Sequence, residues 1–378
     1  MRLVFADNSF AYDGSTPENE PLGGSHSALV YLCRALADLG HDVHVYNKCP
    51  SPGLFHGVHY HRFEEVTEAN KFLYADAFIS LRNPSIFRFW INAGVRILWA
   101  HDAVDQPVLN GLGTDENLRR NIDSIFCVSK WQAWTYLKYF GWPSEKIFVT
   151  RDAIWPDHYP KELPGPCGHR LVYTSTPFRG LELLLLLFPE IRQSVTDAEL
   201  HVFSSMKVYQ QNEEDDRKQN GAIYEMARQP GVFMHGSVGQ RHLARELAKA
   251  TVFAYPNTFP ETGCISAMEA LAAGCVAVTS NLAALPETVG PGGLLIEGIP
   301  GTPAYNRAFV DSCIRLLKDE EARRKLAGAG RDWILSRFTW DKVAGEWSVQ
   351  IDKMIEADRW RIDNFASAKR MDHSSPFQ

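Results

Sequence analysis

Short apolar runs of strand character alternate with longer helix-like stretches along almost the whole of this chain, and that alternation admits few architectures. A strand followed by a helix before the next strand returns to the same edge, so it builds a parallel sheet with helices on both faces. In the first half the strand-like runs are 3–6, 42–46, 77–80, 96–101, 124–129 and 147–150, with a helix from about 24 to 39 between the first two. The pattern lapses between Trp155 and Arg170, where Tyr159-Pro-Lys-Glu-Leu-Pro-Gly-Pro-Cys-Gly reads as a linker. It then restarts, with strands at 170–175, 198–205, 232–236, 252–256, 276–279 and 294–297 and a leucine-rich helix near 180–194. The closing stretch reads as helical, with breaks near Pro303, Glu320 and Thr339. A length of 378 residues suits two such units of roughly 150–200 residues. The expected fold class is therefore α/β, with two Rossmann-like, doubly wound domains facing across a cleft.

Composition excludes some partners. A net charge of −6 argues against nucleic acid, whose binders carry a basic excess. The seven cysteines, at 33, 49, 127, 167, 264, 275 and 313, form no Cys-x-x-Cys pair, and their mostly apolar settings suit reduced thiols rather than a disulfide frame or a zinc site. Met1-Arg-Leu-Val-Phe-Ala-Asp reaches a charge too early for a signal-peptide core, and the run 183–188 is too short to span a bilayer. The expected location is cytoplasmic.

The segment Phe259-Pro-Glu-Thr-Gly-Cys-Ile-Ser-Ala-Met-Glu-Ala-Leu-Ala-Ala-Gly carries the chemistry. It lies between two strand-like runs. Its first residues form a turn, and the alanine-rich part forms a helix stopped by Gly274. Glu261 thus falls in the loop before the helix and Glu269 inside it, with the helix N-terminus between them. Helix N-termini attract phosphate, and a carboxylate can accept two hydrogen bonds from a vicinal diol. One anion site flanked by two such carboxylates is the footprint of a nucleotide diphospho-sugar.

This segment resembles the Glu-x7-Glu motif of retaining GT-B glycosyltransferases, the glycosyltransferase family 4 group in particular. The resemblance implies that Glu261 contacts donor-sugar hydroxyls, that Glu269 holds the ribose, and that the backbone of Gly263, Cys264 and Ile265 holds the diphosphate. The family has Gly-Phe-Gly after the first Glu, where this chain has Thr262-Gly263-Cys264. Leu22-Gly23-Gly24-Ser25-His26 matches the family's glycine loop, which implies that Gly23 and Gly24 approach the donor phosphates and the acceptor. Arg179-Gly180 matches the second of the family's two diphosphate cations. The first is replaced near Ser175, and Lys207 is a possible substitute. His101, ending an N-domain strand, would face the donor sugar, and Val238 would present its backbone to the nucleobase. The resemblance further implies domains at 1–160 and 161–340 and a segment 341–378 that crosses back to the first domain.

Two remaining clusters are assigned no chemistry. Glu213-Glu-Asp-Asp216 reads as a solvated loop rather than a metal site. The many aromatics of the first half, among them Phe87, Phe89, Trp90, Trp131, Trp134, Tyr136, Tyr139, Phe140 and Trp142, read as packing; the sharper alternative is weak membrane-surface association. Together these readings give a metal-independent, retaining transferase with no cofactor beyond a UDP- or GDP-linked sugar as co-substrate. Alternatives on the same fold are an epimerase, a phosphorylase or a non-catalytic nucleotide-sugar-binding protein.

Overall fold

The computed structural model of the chain describes residues 1–66, 74–89, 91–162 and 168–372, with side chains as far as 357. They form two parallel sheets. The first comprises β1 (Arg2–Ala6), β2 (Asp42–Phe55), β3 (Val58–Arg62), β4 (Ala75–Leu81), β5 (Ala93–Ala100), β6 (Ser124–Cys127) and β7 (Ile147–Val149), in the order β3-β2-β1-β4-β5-β6-β7. The second comprises β8 (Arg170–Tyr173), β9 (Glu199–Val202), β10 (Val232–Met234), β11 (Val252–Tyr255), β12 (Val276–Ser280) and β13 (Gly293–Ile296), in the order β10-β9-β8-β11-β12-β13. Each order reverses once, between β1 and β4 and between β8 and β11. Ligands collect beyond the carboxyl ends of strands at such a switch point. Strands β11 and β12 are buried along their whole length, which is why they read as unbroken apolar runs.

The chain passes between the domains twice. Near Ile154 and again at Phe338–Trp340 the two passages lie side by side: the Ile154 N–H donates to the Phe338 carbonyl at 2.9 Å, and the Trp340 N–H to the Ile154 carbonyl at 3.3 Å. The last helix, Trp340–Asp372, then packs on the first domain. Trp347 is fully buried there, edge-on to Trp99 and Phe126, and its indole N–H donates to Thr150 Oγ1 at 2.6 Å.

Two local expectations need correction. Strand β3 is missing from the strands expected above, although Val58 and Tyr60 are buried and His59 between them is exposed, the alternation of a half-buried strand. Glu213–Asp216 is not a loop but the first turn of a helix, Glu213–Met226. Asn212 caps it by accepting the Asp215 N–H at 2.9 Å, and four carboxylates suit the positive helix end. Asp216 is buried and accepts from the Met206 N–H, Asn220 and Tyr224 at 2.9, 2.9 and 2.7 Å, so its role is to brace the preceding turn. Of the aromatics, Phe87, Tyr136 and Trp142 are core, whereas Phe89, Trp134 and Tyr139 are exposed. Trp90, part of the linker (163–167) and the terminal residues 373–378 lie outside the described residues. The six described cysteines are buried and free of disulfides, and no helix among the described residues is long and apolar enough to cross a membrane.

One contact clasps the domains together. Glu287, from the second domain, accepts hydrogen bonds from the Lys130 and Trp131 N–H groups at 2.9 and 2.7 Å. These are the first residues of the first-domain helix Lys130–Phe140. The carboxylate therefore acts as a cap supplied across the cleft. Glu287→Ala is expected to cost about 1–2 kcal/mol, read as a lowered midpoint in denaturant titration, with Glu287→Gln recovering part of the loss. An unchanged midpoint in the alanine variant would mean that the clasp contributes nothing in solution.

Candidate active site

The loop after β11 brings Glu261 to the carboxyl end of the second sheet, where it is buried. Its carboxylate is fixed from two sides. Arg179 Nη1 donates to both carboxylate oxygens at 2.8 Å, and Tyr255 Oη donates to Oε1 at 2.6 Å. Arg179 belongs to the turn Pro177–Arg179 after β8, and Gly180 follows it with φ +116°. A β-carbon at Gly180 would collide with the Pro256 carbonyl, so only glycine lets this turn lie against the Glu261 loop. The guanidinium also sits 4.4 Å from the ring centroid of Phe259 and donates from Nη2 to Tyr209 Oη at 3.2 Å. Burial alone would lower the Arg179 pKa, but the charge of Glu261 outweighs it and holds the group well above its ordinary value.

The helix Ile265–Ala273 starts directly after this loop. Its N-cap, Cys264, makes no side-chain cap bond, and the N–H groups of Gly263, Cys264, Ile265 and Ser266 find no acceptor among the described residues. One turn into the helix, Glu269 is buried and has no hydrogen-bond partner among them either. Burial pushes its carboxyl up to about 8.

The first domain supplies the opposite wall. His101 follows β5, and its Nε2 lies 3.0 Å from Asp152 Oδ1, both side chains being buried. Thr262 Oγ1 donates across the cleft to the His101 carbonyl at 2.6 Å. A β-carbon on Gly263 would stand 3.1 Å from Asp152 Oδ2, so the Glu261 loop and the His101 wall meet almost backbone to side chain. Gly23 and Gly24 open the helix Gly24–Asp38 and approach Tyr209 and Ile265 of the second domain.

These groups line one cavity of about 540 Å³, a size suited to a nucleotide-sized ligand. Of the residues singled out from the sequence, Gly23, Gly24, His101, Ser175, Arg179, Val238, Glu261, Gly263, Cys264, Ile265 and Glu269 all line it. Ser175 Oγ lies 3.4 Å from Tyr255 Oη, and Val238 sits beside Ser237, whose hydroxyl accepts from Ser205 Oγ at 2.7 Å. Lys207 does not belong with them. It is exposed on the turn Met206–Tyr209, whereas Val208 and Tyr209 of that turn face the cavity. Sequence reasoning missed Arg82, Asp102 and Asp152, which follow separate strands, Tyr209 on the turn Met206–Tyr209, and Tyr255, which ends β11 and holds Glu261; they carry no shared spacing.

The charges follow a pattern. Four carboxylates line the cavity. Glu261 is paired with Arg179, Asp102 with Arg82, and Asp152 with His101. Glu269 is the fourth. An unpaired buried carboxylate beside unbonded helix-start amides is a costly arrangement unless a polyhydroxylated anion completes it.

Two Rossmann-like domains with a ligand-sized cleft between their strand ends define the GT-B class of fold, and the comparisons with known proteins agree. The chain superposes on sucrose-phosphate synthase from Thermosynechococcus elongatus with a TM-score of 0.74 at 17% identity, over 94% of this chain and 99% of that one. It superposes on Anabaena HepE, solved in complex with UDP-glucose, with a TM-score of 0.67 at 16% identity, over 94% and 100%. Residues 172–333, most of the second domain, match the family described as Glycosyl transferases group 1. A curated relative, the alpha-maltose-1-phosphate synthase of Mycolicibacterium smegmatis, is 29% identical over 143 residues, 36% of this chain and 36% of that protein. The chain spans between about a third and just over half of the length of the curated relatives it first matches.

Proposed function

We propose that this protein is a glycosyltransferase that moves a sugar from a nucleoside diphosphate to an acceptor hydroxyl, with retention of anomeric configuration and without a metal. The observation that carries the reading is Glu269, a buried carboxylate without a partner, set one helical turn from four unbonded amides and across from the Arg179–Glu261 pair. In this reading Glu269 accepts hydrogen bonds from two ribose hydroxyls. The amides of residues 263–266 and Arg179 hold the diphosphate, and Glu261 orients the sugar. Support for a nucleotide sugar comes from HepE, whose structure contains UDP-glucose, and from the family match.

In this reading neither cavity glutamate serves as a nucleophile: Glu261 is held at both oxygens by Arg179, and Glu269 is taken up by the ribose. The step then runs on one face of the sugar. The bond from the anomeric carbon to the diphosphate oxygen breaks, the acceptor oxygen bonds to that carbon, and the acceptor proton passes to the departing phosphate. Charge on the leaving group is met by Arg179 and the helix start.

Melting curves with UDP-, GDP-, ADP- and dTDP-sugars in EDTA provide the test. One donor is expected to raise the melting temperature by several degrees, since saturation near 100 Kd adds about 2.7 kcal/mol. NMR of the transferred product should show the donor's own anomeric configuration. No shift with any donor overturns the reading, as does isomerisation of the donor without an acceptor. An inverted product or a trapped glycosyl-carboxylate overturns the retaining, single-face step.

A further inference from the structure

The second domain brings a single cation to the cavity. A nucleoside diphosphate brings at least two negative charges, yet Arg179 is the one lysine or arginine of that domain among the described residues lining it, and Lys207 stands outside. Among the described residues lining the cavity there is one other permanently charged cation, and it comes from the opposite domain: Arg82.

Arg82 follows β4 with φ +63°, a backbone conformation that side chains larger than glycine rarely adopt. Its side chain is held in place. Nε and Nη2 donate to the two oxygens of Asp102 at 2.9 and 2.6 Å, and Asp102 is buried. The Asp102 carbonyl in turn accepts from Gln132 and Tyr136, both at 3.1 Å. This clamp leaves Nη1, on the open side of the fork, without a partner among the described residues. Tyr209 ties the two guanidinium groups together in space. Its hydroxyl accepts from Arg179, and it lines the same cavity as Arg82. The uncapped start of the helix Gly24–Asp38 lines the same wall.

We infer that Arg82 is a second cation for the leaving diphosphate, presented from the first domain by the Asp102 clamp so that the phosphates are gripped from both sides of the cleft. The inference rests on the nucleotide-sugar reading above. It makes Arg82 a catalytic residue, since Nη1 would touch the leaving group. It also makes the two-sided grip dependent on domain closure, because neither domain holds both guanidinium groups.

The test compares full-length wild-type protein with Arg82→Gln and Arg82→Lys, by calorimetric titration of UDP and UMP and NMR titration of uridine. GDP, ADP and dTDP series are run in parallel. The glutamine variant is expected to lose about 10- to 100-fold in diphosphate affinity and about 100-fold in turnover, with nucleoside affinity unchanged. The lysine variant should recover part of both, because it restores charge without the clamp. Equal losses for UDP and uridine would show that Arg82 supports the fold, and the inference fails. Unchanged UDP affinity with a raised acceptor KM would place Arg82 at the acceptor, and it fails again. Wild-type protein that binds none of the four diphosphates brings down the nucleotide-sugar reading itself, and the inference with it. That result is distinct from one in which wild type binds and Arg82→Gln binds equally well.

Discussion

An Arg179→Gln variant is expected to turn over about a thousandfold more slowly than the parent at saturating donor. Two losses combine. In the proposed reading the departing diphosphate loses one of the two guanidinium groups that would meet it, which matters most where charge develops, in the transition state. Glu261 loses the donor that holds both its oxygens and keeps only Tyr255 at 2.6 Å, so the sugar it orients gains freedom to drift from the reacting geometry. Stripping one partner from a largely buried pair should also cost about 3 kcal/mol of stability, so turnover must be compared at a temperature where both proteins are folded. The split between parameters is diagnostic. A fall confined to KM would mean that Arg179 binds the ground state and the transition state alike. Turnover reduced less than tenfold would remove Arg179 from the chemistry.

Glu269→Gln should change the pH dependence of both stability and binding. Burial pushes the Glu269 carboxyl up to about 8 from an ordinary 4.5. Between those values the folded chain keeps a proton that the unfolded chain has released, so its contribution to stability is complete below about 4.5. That contribution falls as pH rises and is gone above about 8. The span corresponds to at most about 5 kcal/mol. Glutamine has no proton to lose, so the variant should gain on the parent from pH 5 to 8.5 in denaturant titrations. Binding runs the other way. A ribose diol needs the ionised carboxylate, so parent affinity for a nucleoside diphosphate should climb towards pH 8 and binding should release a proton. Calorimetry in buffers of different ionisation heat reads that proton directly. The variant should bind about 10- to 100-fold more weakly, with no pH trend. Parallel stability curves for the two proteins would show that Glu269 is already ionised in the folded chain.

How much of this was legible beforehand depended on range along the chain. The Glu261–Glu269 segment could be read because strand, turn and helix are contiguous there, and a spacing within one turn-helix unit translates directly into geometry. Arg179 was legible for the same reason, as the end of a strand–turn unit. Arg82, Asp102 and Asp152 were not, since each is an isolated charge after its own strand, and only the sheet order brings those strand ends together. Lys207 misled because a cation near a strand end satisfies the sequence criterion, whereas the turn Met206–Tyr209 directs Val208 and Tyr209 inward instead. The acidic run at Glu213 was misread although its signals were local: an Asn cap at 212 and Glu–Lys or Glu–Arg pairs four residues apart both mark a helix start. β3 carried a signal too, but its alternation rests on only Val58 and Tyr60, too few apolar residues to stand out beside two histidines.

The paired passages at Ile154 and Thr339 act on the domains as the spine of a book acts on its covers. A single linker would leave the two bodies free to swivel in three directions, whereas two passages joined by a pair of hydrogen bonds should suppress twist and favour one swing. Opening along that swing would separate Arg82 from Arg179, and Thr262 from His101, in a single concerted movement. Fluorophore pairs placed across the cleft and beside the spine should therefore report one large distance change and one near-constant distance. Comparable changes in both would mean that the spine does not constrain the motion.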